Sequence, residues 1–477
     1  MGPKQGPRVD PRLALALAAA KGSGVAIRAL GRGGGTAAPG LIADKIDPNL
    51  LAKITARLPL GSVVVAGTNG KTTTSRMIAD VLEANGWRVA HNRSGSNLVR
   101  GVASALAEQS SLLGTPNADI GVIESDEAAL PEIARQVKPR MLVLNNLFRD
   151  QLDRYGELAT IARSWRTAIA GLGPETTLVV NADDPTLADL AAGAAGRVIT
   201  FGMEDRDPRH LLSALPHAVD ATTCRSCGAG LEYAQLYSAH LGSWRCPGCG
   251  KARPALGIAG TALALHGVDA VDVTVHRTGF DADLQVRLRI PGIYNAYNAL
   301  AATAAATALE IDGEVITGAL GAFQSAFGRI ERVSIDGRTL VMALVKNPVG
   351  FNETLRMLTG NGEALTTPTM IAINDRFADG RDVSWLWDVD FELLARGDAP
   401  LFTTGVRGAD MANRLKYAGV DLSRIVVLPQ EPDAAIDAFV AALPIGETGY
   451  VLPTYTAMLD LRQALAGRGA VESFWRQ

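Results

Sequence analysis

The run VVVAGTNGKTTT, residues 63–74, carries an apolar stretch into a glycine-bearing turn and then into Lys71 and three threonines. These residue types in this order suit a cradle for nucleotide phosphates. A full Walker pattern would place glycine five positions before Gly70, where this chain has Val65. The match is instead to a shorter form, Gly67, Thr68, Asn69, Gly70, Lys71 and Thr72, with Thr73 following. Its physics is retained: backbone N–H groups in the turn and at the helix start face phosphate oxygens. Lys71 would offset charge on the β- and γ-phosphates of ATP, and the Thr72 hydroxyl would bind Mg²⁺. Glu124 closes the apolar run DIGVIESDE, where a carboxylate is expected on the same ion; Asp126 and Glu127 close behind are alternatives.

A second set of chemistry-bearing residues is cysteine. Cys224-Arg-Ser-Cys227 and Cys246-Pro-Gly-Cys249 form two knuckles separated by eighteen residues. Four thiolates at this spacing suit a closed tetrahedral Zn²⁺ site, structural because no coordination position is left for substrate. Reversible disulfides are the competing use of such pairs. Gly228 and Gly250 follow the knuckles and permit turns that aim backbone amides at sulfur.

A third segment, NDRFADGRDVSWLWDVDFE at 374–392, combines five aspartates with Trp385 and Trp387 directly after an apolar strand pattern. A stretch at the carboxyl end of a strand is placed like a site loop. Tryptophan beside charge also suits an interface.

The elements that must position these residues are legible in outline. At 477 residues and 47% hydrophobic, the chain has room for about two to three domains with sizeable cores. A formal charge of −3 supplies no basic footprint for nucleic acid. The early apolar run LALALAAA, Leu13–Ala20, is far shorter than a spanning helix and leads into Lys21 without a clear signal cleavage site. It reads as a short surface or interface helix, with peripheral membrane contact as the alternative. Paired cysteines beside a nucleotide motif, with no secretory signal, favour the reducing cytoplasm.

Residues 1–57, with the Gly-rich GRGGGTAAPG at 31–40, read as an N-terminal extension. From 58 to 328, strands at SVVVA, DIGVIE, MLVLNN, TLVVNADD and RVITFG alternate with helical stretches, predicting a parallel sheet covered by helices. The cysteine segment, about 220–254, interrupts this pattern as an inserted ribbon. A hairpin is expected over 272–290, followed by the helix YNAYNALAATAAATAL. A second alternating region, 329–477, has strands at LVMALV, TMIAIN, LFTTG, RIVVLP and GYVLP.

In order, GTNGKTTT, LNNLFRDQLDRYGE (144–157), NADDP (181–185), PGIYNAYNALAA (291–302) and FGRIERV (327–333) resemble the Mur ligase family. The resemblance covers about 60–335 and implies ATP-driven phosphorylation of a carboxylate followed by attack of an amine on the acyl phosphate. It implies an α/β fold: a P-loop Mur ligase-like central ATPase domain, into which the cysteine spacing inserts a Cys₄ zinc ribbon, and a smaller Rossmann-like C-terminal domain. By that likeness Asn146 and Asp150 lie near metal and phosphates, Asn295 and Asn298 near the nucleotide, and Arg329 at the phosphates. Asn295 and Asn298, three apart at a helix start, also suit a capping role.

Departures from the family pattern are informative. Gln151 and Tyr294 stand where ordinary members have histidine, so the imidazole beside the family's second metal site is missing here. ALVKNPVGFNETL (343–355) places Lys346 where amino-acid ligases usually have histidine, so a different amine is expected. GGGTAAPG, KNPVGFNETL, the acidic segment and LPTYTAML resemble the amidating branch of the family. That likeness implies a GatD-like glutaminase partner, ammonia as nucleophile, and the D-glutamate α-carboxylate of lipid II as substrate, converted to D-isoglutamine. It also implies an aspartate donated to the partner's catalytic triad, either Asp382 or Asp388, and work at the inner membrane face. The competing readings are a stand-alone Mur or folylpolyglutamate-type amino-acid ligase and an ATP-binding zinc-ribbon scaffold without chemistry.

Overall fold

Strand β1 (Ser62–Ala66) is buried along its whole length, as expected of a strand covered on both faces in a parallel sheet. The computed structural model describes residues 10–29, 38–92, 96–149, 158–217, 219–324, 330–360 and 364–471. Beside β1 lie β2 (Val89–His91), β3 (Ile120–Glu124), β4 (Met141–Leu144), β5 (Thr177–Asn181) and β6 (Val198–Met203), all parallel. The strands β7 (Glu232–Ser238) and β8 (Leu241–Arg245) form a separate antiparallel hairpin within the cysteine segment. The chain then rejoins the main sheet through β9 (Ile258–His266), parallel to β6, and ends it with β10 (Ala270–Arg277) and β11 (Leu284–Leu288) as an antiparallel meander. The nine-stranded order is β11-β10-β9-β6-β5-β4-β1-β3-β2. Because β3 and β4 flank β1 on opposite sides, the chain switches direction there and opens a crevice above the carboxyl end of β1.

The predicted hairpin over 272–290 is β10 and β11, whereas β9 was not anticipated. Helix Lys71–Ala84 buries Met77, Ile78, Val81 and Leu82, and shares that core with the Ala-rich helix Ile293–Ala308. Small residues permit the close approach: a Cβ on Gly260 of β9 would fall 2.6 Å from Met203 Sδ and 3.2 Å from Leu300 Cδ1.

The segment expected as an extension forms helices Pro11–Ala29, Ala38–Ile46 and Leu50–Thr55. Leu13, Ala16 and Leu17 pack in one cluster with Val64, Leu142 and Trp165 on a face of the main sheet, while Leu15 is 62% exposed. Among the described residues, no helix is long and apolar enough to cross a membrane.

The second sheet comprises β12 (Glu331–Ile335), β13 (Arg338–Met342), β14 (Thr369–Ala372), β15 (Leu401–Thr404), β16 (Ile425–Val427) and β17 (Thr448–Pro453). Their order is β12-β13-β17-β14-β15-β16, with only β12 antiparallel to its neighbour. Alternate residues feed two cores: Met342, Met370 and Val451 join Phe439 and Leu461 on one side, and Ile371 and Leu452 join Phe351 and Phe391 on the other.

Candidate functional site

The turn after β1 bends on two glycines with positive φ, Gly67 at 151° and Gly70 at 81°. A Cβ on Gly70 would lie 2.1 Å from Asn298 Oδ1, so glycine is required both by conformation and by space. Asn146 holds the turn from β4: its Oδ1 accepts from Asn69 N–H at 2.8 Å and its Nδ2 donates to Asn69 O at 3.0 Å. Thr68 is fixed likewise, its hydroxyl donating to Phe148 O at 3.1 Å and accepting from Phe148 N–H at 3.0 Å. The first helical N–H groups after Gly70 are thereby left facing an open cleft, the arrangement that binds phosphate.

That cleft has a volume of about 460 Å³ and lies between the two sheets, within the range of small-ligand sites. Thr68, Asn69, Gly70, Lys71, Thr72, Thr73, Glu124, Asn146 and Asn298, all expected from sequence, line it. Lys71 Nζ lies 2.9 Å from Glu127 Oε2 and donates to Thr68 O at 3.1 Å, with both side chains of the pair nearly buried. Glu127 is therefore the ionic partner of the lysine, while Glu124 accepts from Asn97 Nδ2 at 3.3 Å. Glu124, Asp126 and Glu127 are all buried and all border the cleft. Hard carboxylate oxygens beside the Thr72 hydroxyl fit Mg²⁺.

Asn295 is not among the residues that line the cleft and stands behind Asn298. Its amide donates to Pro291 O at 2.6 Å and its Oδ1 accepts from Asn298 Nδ2 at 3.0 Å. Asn298 in turn accepts from the Thr74 hydroxyl at 3.1 Å. Asn295 thus supports Asn298, which reaches the P-loop helix. Asp150, Gln151 and Arg329 lie outside the described residues. Tyr294, at the position expected for histidine, borders the cleft.

The opposite wall comes from the loop and helix that follow β13: Lys346, Asn347, Gly350 and Glu353. Asn347 Nδ2 donates to Asn69 Oδ1 at 2.9 Å, joining the two walls directly. Its own Oδ1 caps helix Pro348–Leu358 by accepting from Gly350 N–H at 2.8 Å. This bridge was not anticipated; the sequence signal was the Asn-Pro pair at 347–348, a helix start.

Asp382 and Asp388 lie apart from the cleft lining. Asp382 Oδ1 accepts from Ser384 N–H at 2.8 Å, which holds its carboxyl below the usual range. Asp388 is 3.9 Å from Arg149. In the same segment Phe377 and Trp387 are 77% and 52% exposed, and Tyr417, whose ring centroid lies 5.8 Å from that of Trp387, is 66% exposed.

The four cysteines converge at the base of the β7–β8 hairpin. Cys224 and Cys249 sulfurs are 3.6 Å apart and Cys227 and Cys246 sulfurs 3.4 Å apart, and all four lie within 4.8 Å of one another. These are not disulfide distances. They are close to the roughly 3.8 Å edge of a tetrahedron with Zn–S near 2.3 Å. Backbone N–H groups of Ser226 and Cys227 lower the Cys224 thiol, whereas Cys227, despite the Ala229 N–H, and Cys249, despite the Lys251 N–H, are raised among their sulfur neighbours, as four thiols crowded together cannot all ionise without a cation. The donor set fits Zn²⁺.

A P-loop sheet and a smaller α/β sheet meeting over one polar cleft define the architecture of the Mur ligases. Residues 65–224 match the Mur ligase middle domain and residues 344–458 the MurT ligase C-terminal domain. The pseudomurein peptide ligase type C of Methanothermus fervidus shares the fold, with a TM-score of 0.66 at 17% identity over 87% of this chain and 80% of that one. The chain is 32% identical to the lipid II isoglutaminyl synthase (glutamine-hydrolyzing) subunit MurT of Streptococcus pneumoniae, over 96% of this chain and 98% of that one. Against the Staphylococcus aureus subunit of the same name identity is 34%, over 84% and 87%. The chain belongs to the MurT family.

Proposed function

We propose that this protein is the ATP-consuming subunit of a lipid II isoglutaminyl synthase, converting the D-glutamate α-carboxylate of the stem peptide to D-isoglutamine. The observation that carries the reading is the cleft, one wall of which is the P-loop and the other the MurT-type C-terminal domain. A carboxylate oxygen of the substrate attacks the γ-phosphorus of ATP, and ADP leaves. Ammonia then attacks the acyl carbon, phosphate departs with the former carboxylate oxygen, and the nitrogen loses a proton to give the amide.

The chain's own residues serve these steps by position and charge. Amides after Gly70 and the Lys71 ammonium stabilise phosphate oxygens as negative charge shifts toward the leaving group. Thr72 and Glu124 would hold Mg²⁺, which supplies charge neutralisation between phosphates. Asn347 brings the second wall against the P-loop, excluding water from an acyl phosphate that hydrolysis would waste.

Ammonia would come from a GatD-like glutaminase docking near the exposed Phe377, Trp387 and Tyr417, with Asp382 or Asp388 orienting the partner's catalytic histidine. The cytoplasmic face of the membrane, where a lipid-linked substrate resides, is the corresponding place of action. The test is phosphate release from ATP with Mg²⁺ and unamidated lipid II. Release is expected with ammonium, and with glutamine only after the glutaminase is added. Release driven by free amino acids would make the protein an ordinary ligase, and no turnover under any condition would leave a scaffold.

A further inference from the structure

The Cys₄ ribbon has one end at the cysteines and the other in the cleft. Strand β7 spans seven residues, roughly 20 Å at strand rise, from the knuckles to the two-residue turn Ala239-His240. Ser238 and Leu241, paired across that turn, both line the nucleotide cleft. Ala239 is held at a φ of 47°, a left-handed conformation that disfavours a residue with a Cβ, so packing must hold the turn in place.

Three contacts do so. The His240 ring, 0% exposed, lies against Phe148 at 4.9 Å between centroids, and it is the Phe148 backbone that fixes Thr68 of the P-loop. Gly242 N–H donates to Asp183 O at 3.1 Å, and the Asp183 carboxylate accepts from Tyr297, another cleft residue, at 2.6 Å. From the second domain, Arg356 donates to Tyr237 O at 2.6 Å. Neither ring nitrogen of His240 makes a hydrogen bond, but Nε2 lies 3.4 Å from the buried Asp184 Oδ2, which accepts from Leu147 N–H at 2.9 Å; the ring meets Phe148 by shape and Asp184 by a close polar approach.

We infer that the ribbon is a positioning device for the nucleotide cleft: zinc clamps the open end of the hairpin, and the hairpin's closed end, through His240 and Leu241, sets the P-loop by way of Phe148. His240 is then a positioning residue, acting through Phe148 and Thr68. The inference rests on the nucleotide-binding reading of the cleft.

The test titrates ADP into the full-length protein by calorimetry in five forms: zinc-loaded, chelator-stripped, stripped with zinc restored, zinc-loaded His240→Ala and zinc-loaded His240→Phe. Stripping and His240→Ala are each expected to weaken ADP binding about tenfold, a loss of about 1.4 kcal/mol, and zinc restoration to recover it. His240→Phe, which keeps a ring against Phe148 and gives up only the approach of Nε2 to Asp184, is expected to bind within about twofold of the parent, a difference of about 0.4 kcal/mol. In ammonium-driven turnover, His240→Ala should raise the KM for ATP and leave kcat nearly unchanged. If stripping unfolds the protein, the zinc-loaded His240 variants decide the matter alone. Unchanged ADP affinity in His240→Ala overturns the ribbon inference and leaves the nucleotide reading standing. Failure of the parent protein to bind ADP at all overturns the nucleotide reading beneath it.

Discussion

At Lys71 the same charge that would meet phosphate is already neutralised by Glu127, with the pair nearly out of solvent. Removing the lysine leaves the buried Glu127 carboxylate without that cation, and breaking a buried pair this way typically costs about 3–5 kcal/mol. Lys71→Ala should therefore lower stability as well as ATP turnover, and adding Glu127→Gln should restore the melting temperature without restoring turnover. If the single variant melts like the parent, the pair contributes little to the fold. Asp183 makes the complementary case. Burial raises its carboxyl despite the Arg253 guanidinium beside it, at 2.8 Å. Between the ordinary value near 3.8 and the raised one, the folded chain holds more protons than the unfolded chain. Stability from this group therefore falls as pH rises through that window. Asp183→Asn should flatten that part of the melting profile, measured against the parent, while lowering stability overall because Arg253 loses its buried partner.

Helix Pro348–Leu358 is the element that turns one sheet's sequence into the other's site, because its cap Asn347 also holds Asn69. Asn347→Ala should cost about 1 kcal/mol as a lost cap and additionally raise the KM for ATP; urea unfolding and steady-state kinetics separate the two. A normal KM would confine Asn347 to capping. Most elements of the two sheets were legible because β1, β3, β4 and β14 are short apolar runs closed by polar turns, the pattern of buried parallel strands. Strand β9 was missed: Ile258–His266 is rich in small residues, and Gly260 is there for packing against Met203 and Leu300, which periodicity does not report. The P-loop could be read because its residues are contiguous. The Asn347 bridge, the Lys71–Glu127 pair and the support of Asn298 by Asn295 could not, since side-chain partners are chosen by tertiary packing. The cysteine spacing announced a metal site but said nothing of the hairpin turn 20-odd ångströms away, roughly seven residues of strand rise.

Across the whole molecule, the exposed aromatics Phe377, Trp387 and Tyr417 sit with the acidic segment on the C-terminal domain. Trp387→Ala should weaken glutaminase binding by about 2 kcal/mol or more if this is the docking centre, with ammonium-driven turnover unchanged. Asp382→Asn and Asp388→Asn should separate in the same assay: the aspartate serving the partner loses glutamine-driven turnover alone, and loss of ammonium-driven turnover too would reject that role. The join between Asn69 and Asn347 spans 278 positions of the chain. At a synthesis rate of about 5–20 residues per second, roughly 15 to 55 seconds separate the emergence of its two halves from the ribosome. Much of that interval goes to making the P-loop's own sheet, since β11 ends at Leu288 and the helix that carries Asn298 ends at Ala308, so nucleotide in the cell finds no finished half-site until late in synthesis and no enclosing wall until later still.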